Sequence, residues 1–414
     1  MKRKNLFLLI VLFAIFFAYI TNIEKIPNNI TLYQNEKLEI GHLKGLKIDG
    51  EKISTKDNFW NKLVTVRTDM IGKIELKLSA LNIFNKKITV NVVPAVEVVP
   101  GGDCIGVKLY SKGVLIIGES KVQGIDGEFY ELYEEGTFKP GDILLKINDY
   151  EIESAEDVSR VVDYIGNEEV ILTCERNEKI FETKITPIRC IDDGKYKLGV
   201  WVRDGAMGVG TLTFYLPQTN SFAALGHGIS DEDSKSLIKL EDGNIYDASV
   251  LSVSKGLVNR PGELKGFLNE ETEIGTIKDN SNIGIYGICS GENFQNRARV
   301  TVASKNEIQT GPATILCTID ESQIVKEYDI EIIRLSNSSF AASKGMVIKV
   351  TDEELLKKTG GIIQGMSGSP ILQNGKLIGA ITHVYVNDPT KGYAIFADTM
   401  IAEANSFGED ISVQ

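Results

Sequence analysis

Short runs in which apolar and polar residues alternate at every second position recur along most of this chain, and stripes of helical period are few. Ile74-Glu75-Leu76-Lys77-Leu78 and Ile88-Thr89-Val90-Asn91-Val92-Val93 are examples. Alternation with period two sends neighbouring side chains to opposite faces of a strand, so such runs form half-buried sheets. The fold class expected is mainly β. At 414 residues the chain is long enough for two or three domains. Its 43% apolar and 25% charged residues are those of ordinary globular protein. A net charge of −12 with no basic run beyond the N-terminus argues against a nucleic-acid partner.

Read in order, the chain opens with Lys2-Arg3-Lys4 before an apolar run from Leu6 to Ile20. No small-x-small cleavage site follows, so residues 1–22 read as an uncleaved signal anchor that exports the rest of the chain. Residues 28–98 read as a small β-sandwich, ended by Pro94 and Pro100-Gly101-Gly102. From 103 to 188 short strands surround one helix, which Ser154 would cap over Ala155–Tyr164 with Asp157 completing an acidic capping box. Residues 190–405 are strand-rich again and suit a double β-barrel. The five cysteines are scattered without C-x-x-C spacing, which points to buried free thiols rather than a zinc site or a disulfide framework.

In the third region Gly365-Met366-Ser367-Gly368-Ser369-Pro370 places a serine between small residues and leads through proline into an apolar strand. A serine hydroxyl is a weak nucleophile and needs a tight turn where a base reaches Oγ and backbone N–H groups face the oxyanion. Asn374-Gly375 joins the next two apolar runs as a type I′ hairpin would. This pattern resembles the Gly-Asp-Ser-Gly-Gly-Pro signature of chymotrypsin-like serine proteases, with Met366 and Ser369 as departures. The resemblance implies Ser367 as nucleophile and the N–H groups of Gly365 and Ser367 as oxyanion hole. It puts Thr382 and His383 on the strand that lines the substrate pocket, with the Thr382 hydroxyl steadying a buried aspartate.

Of the three histidines, His42 falls in the N-terminal sandwich as a surface residue. His227, in Ala223-Ala224-Leu225-Gly226-His227-Gly228, is crowded by small residues and is the candidate general base. Lys139-Pro140-Gly141-Asp142-Ile143-Leu144-Leu145-Lys146-Ile147-Asn148 resembles a distinctive segment of bacterial PDZ domains. That resemblance implies a module that adds an extended peptide to a sheet edge, with the carboxylate loop at Ile105, Gly106, Val107 and Lys108.

The whole order, from anchor through β-rich segment and PDZ domain to Leu225-Gly226-His227-Gly228 and Thr359–Pro370, resembles the stage IV sporulation protein B family of signalling serine peptidases. The family triad of histidine, aspartate and serine matches His227, Asp352 and Ser367. Yet Thr351-Asp352-Glu353-Glu354-Leu355-Leu356-Lys357-Lys358-Thr359-Gly360 also reads as a capped helix, with Thr351 as N-cap and Glu354 closing a capping box, in which Asp352 is merely a first-turn acid. Asp247 and Asp279, nearer the histidine in sequence, stay open as alternatives.

The resemblance implies cleavage of a membrane-associated regulator, and of the chain itself, which frees a membrane metalloprotease to activate a late sigma factor. It places the protein on the exported side of the membrane, in the forespore intermembrane space. A PDZ-bound peptide, possibly from its own chain, is the second implied partner. No cofactor and no metal is called for. The rivals are an exported HtrA-like quality-control protease, which would carry its PDZ domain after rather than before the protease, and an inactive PDZ scaffold.

Overall fold

The computed structural model describes residues 29–407, apart from 35, 41–45, 51–52, 59–60, 81–83 and 337–341, together with Phe17, Ile20, Thr21, Glu24, Ile26 and Asn28. Most of the expected anchor at 1–22, and His42, lie outside the described residues. Among those described, no helix is long and apolar enough to cross a membrane. The chain divides into two compact units, residues 1–97 with 301–308, and 98–300 with 309–414.

The first unit has two sheets. Asn29–Tyr33, Phe84–Val93, Gly72–Ala80 and Leu46–Gly50 form one, and Lys37–Ile40, Asn61–Arg67 and Ile53–Asn58 the other. The alternating residues Leu32, Leu76, Leu78, Ile88 and Val90 supply its core, joined by Val66 of the second sheet. Glu36 is buried there, accepting bonds from the N–H groups of Tyr33 (2.9 Å) and Ser304 (3.0 Å).

The second unit contains two six-stranded rings. In the first, Cys104–Glu119 pairs with Leu240–Ser254, and the ring continues through Glu263–Ser281, Gly284–Cys289, Ser221–Ala224 and Val200–Leu216 back to Cys104–Glu119. Ile105, Leu109, Phe222, Ile245 and Ile285 fill its centre. The second is a closed barrel of Gly311–Cys317, Lys326–Leu335, Met346–Val350, Lys391–Phe396, Lys376–Val384 and Pro370–Gln373. Asn374 (φ 53°) and Gly375 (φ 76°) turn the hairpin between Pro370–Gln373 and Lys376–Val384, both with the positive φ that a type I′ turn demands.

A lobe is inserted between the first two strands of the first ring. The far end of Cys104–Glu119 leaves the ring to pair with Asp142–Ile147, which continues to Val170–Arg176 and Lys179–Ile185. Helix α1 (Ala155–Ile165) packs Val158, Val161 and Val162 on this sheet, and Ser154 and Asp157 form the expected capping box. The Pro140-Gly141-Asp142 motif has a structural use. Asp142, 1% exposed, accepts the Lys139 N–H (2.8 Å) and pairs with Arg176 (2.6 Å).

Two expectations are corrected here. Residues 103–188 and 190–405 are not consecutive bodies, because the first strand of the barrel precedes the lobe and the lobe's last strand runs on into the barrel. Ile105, Gly106, Val107 and Lys108 are no carboxylate loop. They lie mid-strand, paired on one side with Met207–Gly210 and on the other with Asn244–Asp247, so their backbone groups belong to the barrel wall. All five cysteines are free and buried, as the scattered spacing suggests.

Candidate active site

Ser367 sits on the turn between α2 (Glu353–Thr359) and the strand Pro370–Gln373. Gly365 (φ 94°) and Gly368 (φ 97°) flank it in a region that side chains rarely adopt. A Cβ on Gly368 would stand 2.1 Å from the Thr211 carbonyl oxygen, so the turn lies directly against the first barrel.

The peptide planes around Ser367 are held by their carbonyls. The Gln364 oxygen accepts the Leu264 N–H (2.8 Å), and the Met366 oxygen accepts both the N–H (3.0 Å) and the hydroxyl (2.7 Å) of Ser369. In a trans peptide the N–H opposes the C=O, so these bonds aim the N–H groups of Gly365 and Ser367 the other way. Neither N–H has an acceptor among the described residues. Thr211 adds a further hold, its hydroxyl donating to the Gly365 oxygen (2.7 Å) and its N–H to the Ser367 oxygen (3.0 Å).

His227 comes from the first barrel. The buried strand Ser221–Ala224 ends in a sharp turn at Leu225, whose φ of 67° is strained for a branched side chain, and the Gly226 N–H closes on the Ala224 oxygen (2.8 Å). The His227 ring donates from Nδ1 to the Gly228 oxygen (2.9 Å), which leaves Nε2 as an acceptor. Burial pushes the imidazole below its ordinary pKa, only partly opposed by that bond, so the ring is neutral at physiological pH. Asn280 clamps the next residue from both ends, accepting the Ile229 N–H (2.8 Å) and donating to the Ile229 oxygen (2.9 Å) and the Ile238 oxygen (2.9 Å).

His383 stands across from His227, ring centroids 4.9 Å apart. It is the more exposed of the two, yet partial burial of its ring, with the neighbouring His227 imidazole and the Lys344 charge, pushes its pKa down to about 4. The Ser367 hydroxyl rests on the Thr382 carbonyl (2.9 Å) rather than on His227. The Thr382 hydroxyl donates to the Ser343 oxygen (2.7 Å) and steadies no aspartate, contrary to expectation.

One cleft of about 530 Å³ gathers Gly365, Ser367, Thr382, His227 and His383 between the two barrels, with Met207, Leu264 and Ile363 as apolar walls and Glu232 and Glu263 as acidic ones. Asp352 is not among its lining residues. The carboxylate of Asp352 is the N-cap of α2, accepting the Leu355 N–H (2.8 Å), one residue later than the expected Thr351 cap. Among the described residues Asp352 makes no bond to His227, whose Nδ1 is taken by the Gly228 oxygen. Asp247, exposed on the barrel, and Asp279, half-buried with its carboxyl raised by burial, do not line the cleft either. Sequence reasoning missed Thr211 and Asn280, because a lone polar residue inside a strand carries no local signal of what it clamps.

Residues 194–401 match the family model described as SpoIVB peptidase S55, about half of the chain. No curated protein matches significantly. Among solved structures, that of Rv3671c protease in an inactive form aligns at 11% identity over 49% of this chain and 85% of that one, with a TM-score of 0.28, a likeness that carries no inference.

Proposed function

Since this chain belongs to the SpoIVB peptidase S55 family, we propose that it is a serine endopeptidase in which Ser367 attacks and His227 is the base. The observation that carries the reading is the pairing, in one cleft, of a serine beside two pinned N–H groups and of a neutral histidine, with neither those N–H groups nor Nε2 partnered among the described residues. For catalysis the Ser367 hydroxyl must leave the Thr382 oxygen for Nε2 of His227, which lines the same cleft. The imidazole takes the proton as Oγ adds to the scissile carbonyl, and the oxyanion meets the N–H groups of Gly365 and Ser367. The imidazolium then protonates the departing amine, and water repeats the sequence on the acyl-enzyme.

The inserted lobe, on this reading, is a PDZ-like peptide module, its edge at Val200–Arg203 rather than at Ile105–Lys108. Val200–Arg203 pairs along one side with Leu115–Glu119, and no described strand pairs its other side. Helix α1 runs beside that strand, with the Ala155 N–H on Asp204 (3.2 Å) at one end and the Tyr196 N–H on Asp163 (3.3 Å) at the other. A peptide would add as a strand between them. The substrate proposed is a membrane-associated regulator and the chain itself, with the N-terminal anchor holding the protein on the exported side of a sporulating cell's membrane. Family membership supports that role.

The test is incubation of the full-length chain and its Ser367→Ala variant, alone and with a candidate regulator ectodomain, read by intact mass. Discrete fragments from the wild type alone are expected. Cleavage of any unfolded protein without preference would favour the HtrA-like alternative, and intact chains in every tube would leave the scaffold.

A further inference from the structure

The residues just after His227 form a small hairpin. Ile229 faces Ile238, Ser230 faces Leu237 and Asp231 faces Ser236. Asn280 grips its base. Its far end meets the inserted lobe. A Cβ on Gly141 would lie 3.1 Å from Ser234, Lys239 pairs with Glu175 of the lobe sheet, and a cavity of about 460 Å³ lies between, lined by Gly141, Glu175, Arg203 and Asp231. Arg203 closes the arrangement from the strand shared by lobe and barrel. Its guanidinium reaches Asp231 (2.7 Å) and Asp233 (3.3 Å). Asp231, with a side chain 1% exposed, also accepts the N–H groups of Asp233 (3.0 Å) and Ser234 (2.8 Å) and so orders the hairpin tip.

A buried carboxylate that orders a tip and meets one arginine is costly to leave unpaired. The same strand carries Val200–Arg203 at the lobe edge and Ala206–Val209 along the cleft wall. We infer that Arg203 and Asp231 are positioning residues for His227, and that the hairpin 229–238 is the element through which the inserted lobe sets the alignment of the catalytic base. This rests on the serine-peptidase reading and adds regulation to it: a peptide seated beside Val200–Arg203 acts on the cleft through the Arg203–Asp231 clasp. Burial alone would raise the Asp231 carboxyl, but the N–H groups of Ser234 and Asp233 and the Arg203 charge together hold it below the usual range, as a standing ion pair requires.

The experiment measures how fast a fluorophosphonate labels Ser367 in the full-length chain, across pH, for wild type, Arg203→Ala, Arg203→Lys and Ser367→Ala, with melting temperatures alongside. Lys184→Ala, which breaks an exposed lobe pair with Glu169, is the control. A displaced base predicts a labelling rate about 10- to 100-fold lower in Arg203→Ala, with a moved pH midpoint, partial recovery in Arg203→Lys and no change in Lys184→Ala. A merely structural arginine would lower the melting temperature while the rate per folded molecule and the midpoint stayed put, and that result overturns the inference. Should Arg203→Ala not fold, Asp231→Asn decides by the same criteria. A wild type that takes no label would sink the serine reading itself, and this inference with it, whereas labelling unaffected by Arg203→Ala sinks the inference alone.

Discussion

The two barrels hold their contributions to the cleft in different ways. The second is built from one unbroken stretch, 311–396, and its serine turn is fixed by Ser369 on Met366 within the turn and by Thr211 and Leu264 reaching across from the first barrel. The first is interrupted by a lobe, and its histidine stands on a strained turn followed by a hairpin that Asn280 grips at the base and Arg203 at the tip. Both halves are held partly from across the fold, but the serine turn leans directly on the other barrel, while the hairpin after the histidine leans on the inserted lobe. On the inference above, regulation acts through the half that meets the lobe.

The comparison breaks first at the chemistry itself. Ser367→Ala and His227→Ala are each expected to lower peptidase activity by about 10⁴-fold or more, with unchanged melting, because members of one proton-transfer unit are not additive. A turnover assay on both single variants and the double variant checks this, and the double should be no worse than either single.

Next in size is the clamp on the histidine side. Asn280→Ala leaves buried backbone groups of Ile229 and Ile238 without partners, a loss of about 2–3 kcal/mol in chemical unfolding. Thr211→Val, on the serine side, removes one hydroxyl and should cost about 1 kcal/mol. Equal losses would erase the asymmetry between the halves.

Acidity gives a third, smaller handle. Burial depresses the His227 pKa below the ordinary 6.5, so the base keeps its lone pair as pH falls to that point and activity should hold its plateau below pH 6.5 before declining. The unfolded chain takes its proton first, so stability contributed by the neutral ring is lost as pH falls below about 6.5. A pH–rate profile with its acid limb at or above 6.5 would mean that a nearby carboxylate raises the imidazole instead.

The smallest effect is expected at Asp352. As the cap of α2, its replacement by alanine should cost about 1 kcal/mol of stability and less than a factor of two in turnover per folded molecule. A loss of about 10³-fold would restore it as the triad acid.

These contrasts also mark what the sequence makes legible. Local chemistry is readable: the capping box at Ser154 and Asp157, the positive-φ pair Asn374-Gly375, and the glycines that free Ser367 each act within a few residues. Long-range closure is not. Ile105–Lys108 alternates like any edge strand, and nothing in its composition says that strands more than ninety residues away cover both sides. The Asp352 case shows an ambiguity of a third kind, because an acid before a short helix satisfies a family motif and a helix cap equally well, and the sequence does not show its bond to Leu355.

The most direct test of the account is fluorophosphonate labelling of the full-length wild type and of His227→Ala, with the modified residue located by peptide mass. One adduct on Ser367 in the wild type and none in His227→Ala is the predicted result. An adduct on Ser367 that forms equally fast without His227, or one that forms on a different serine, would contradict it.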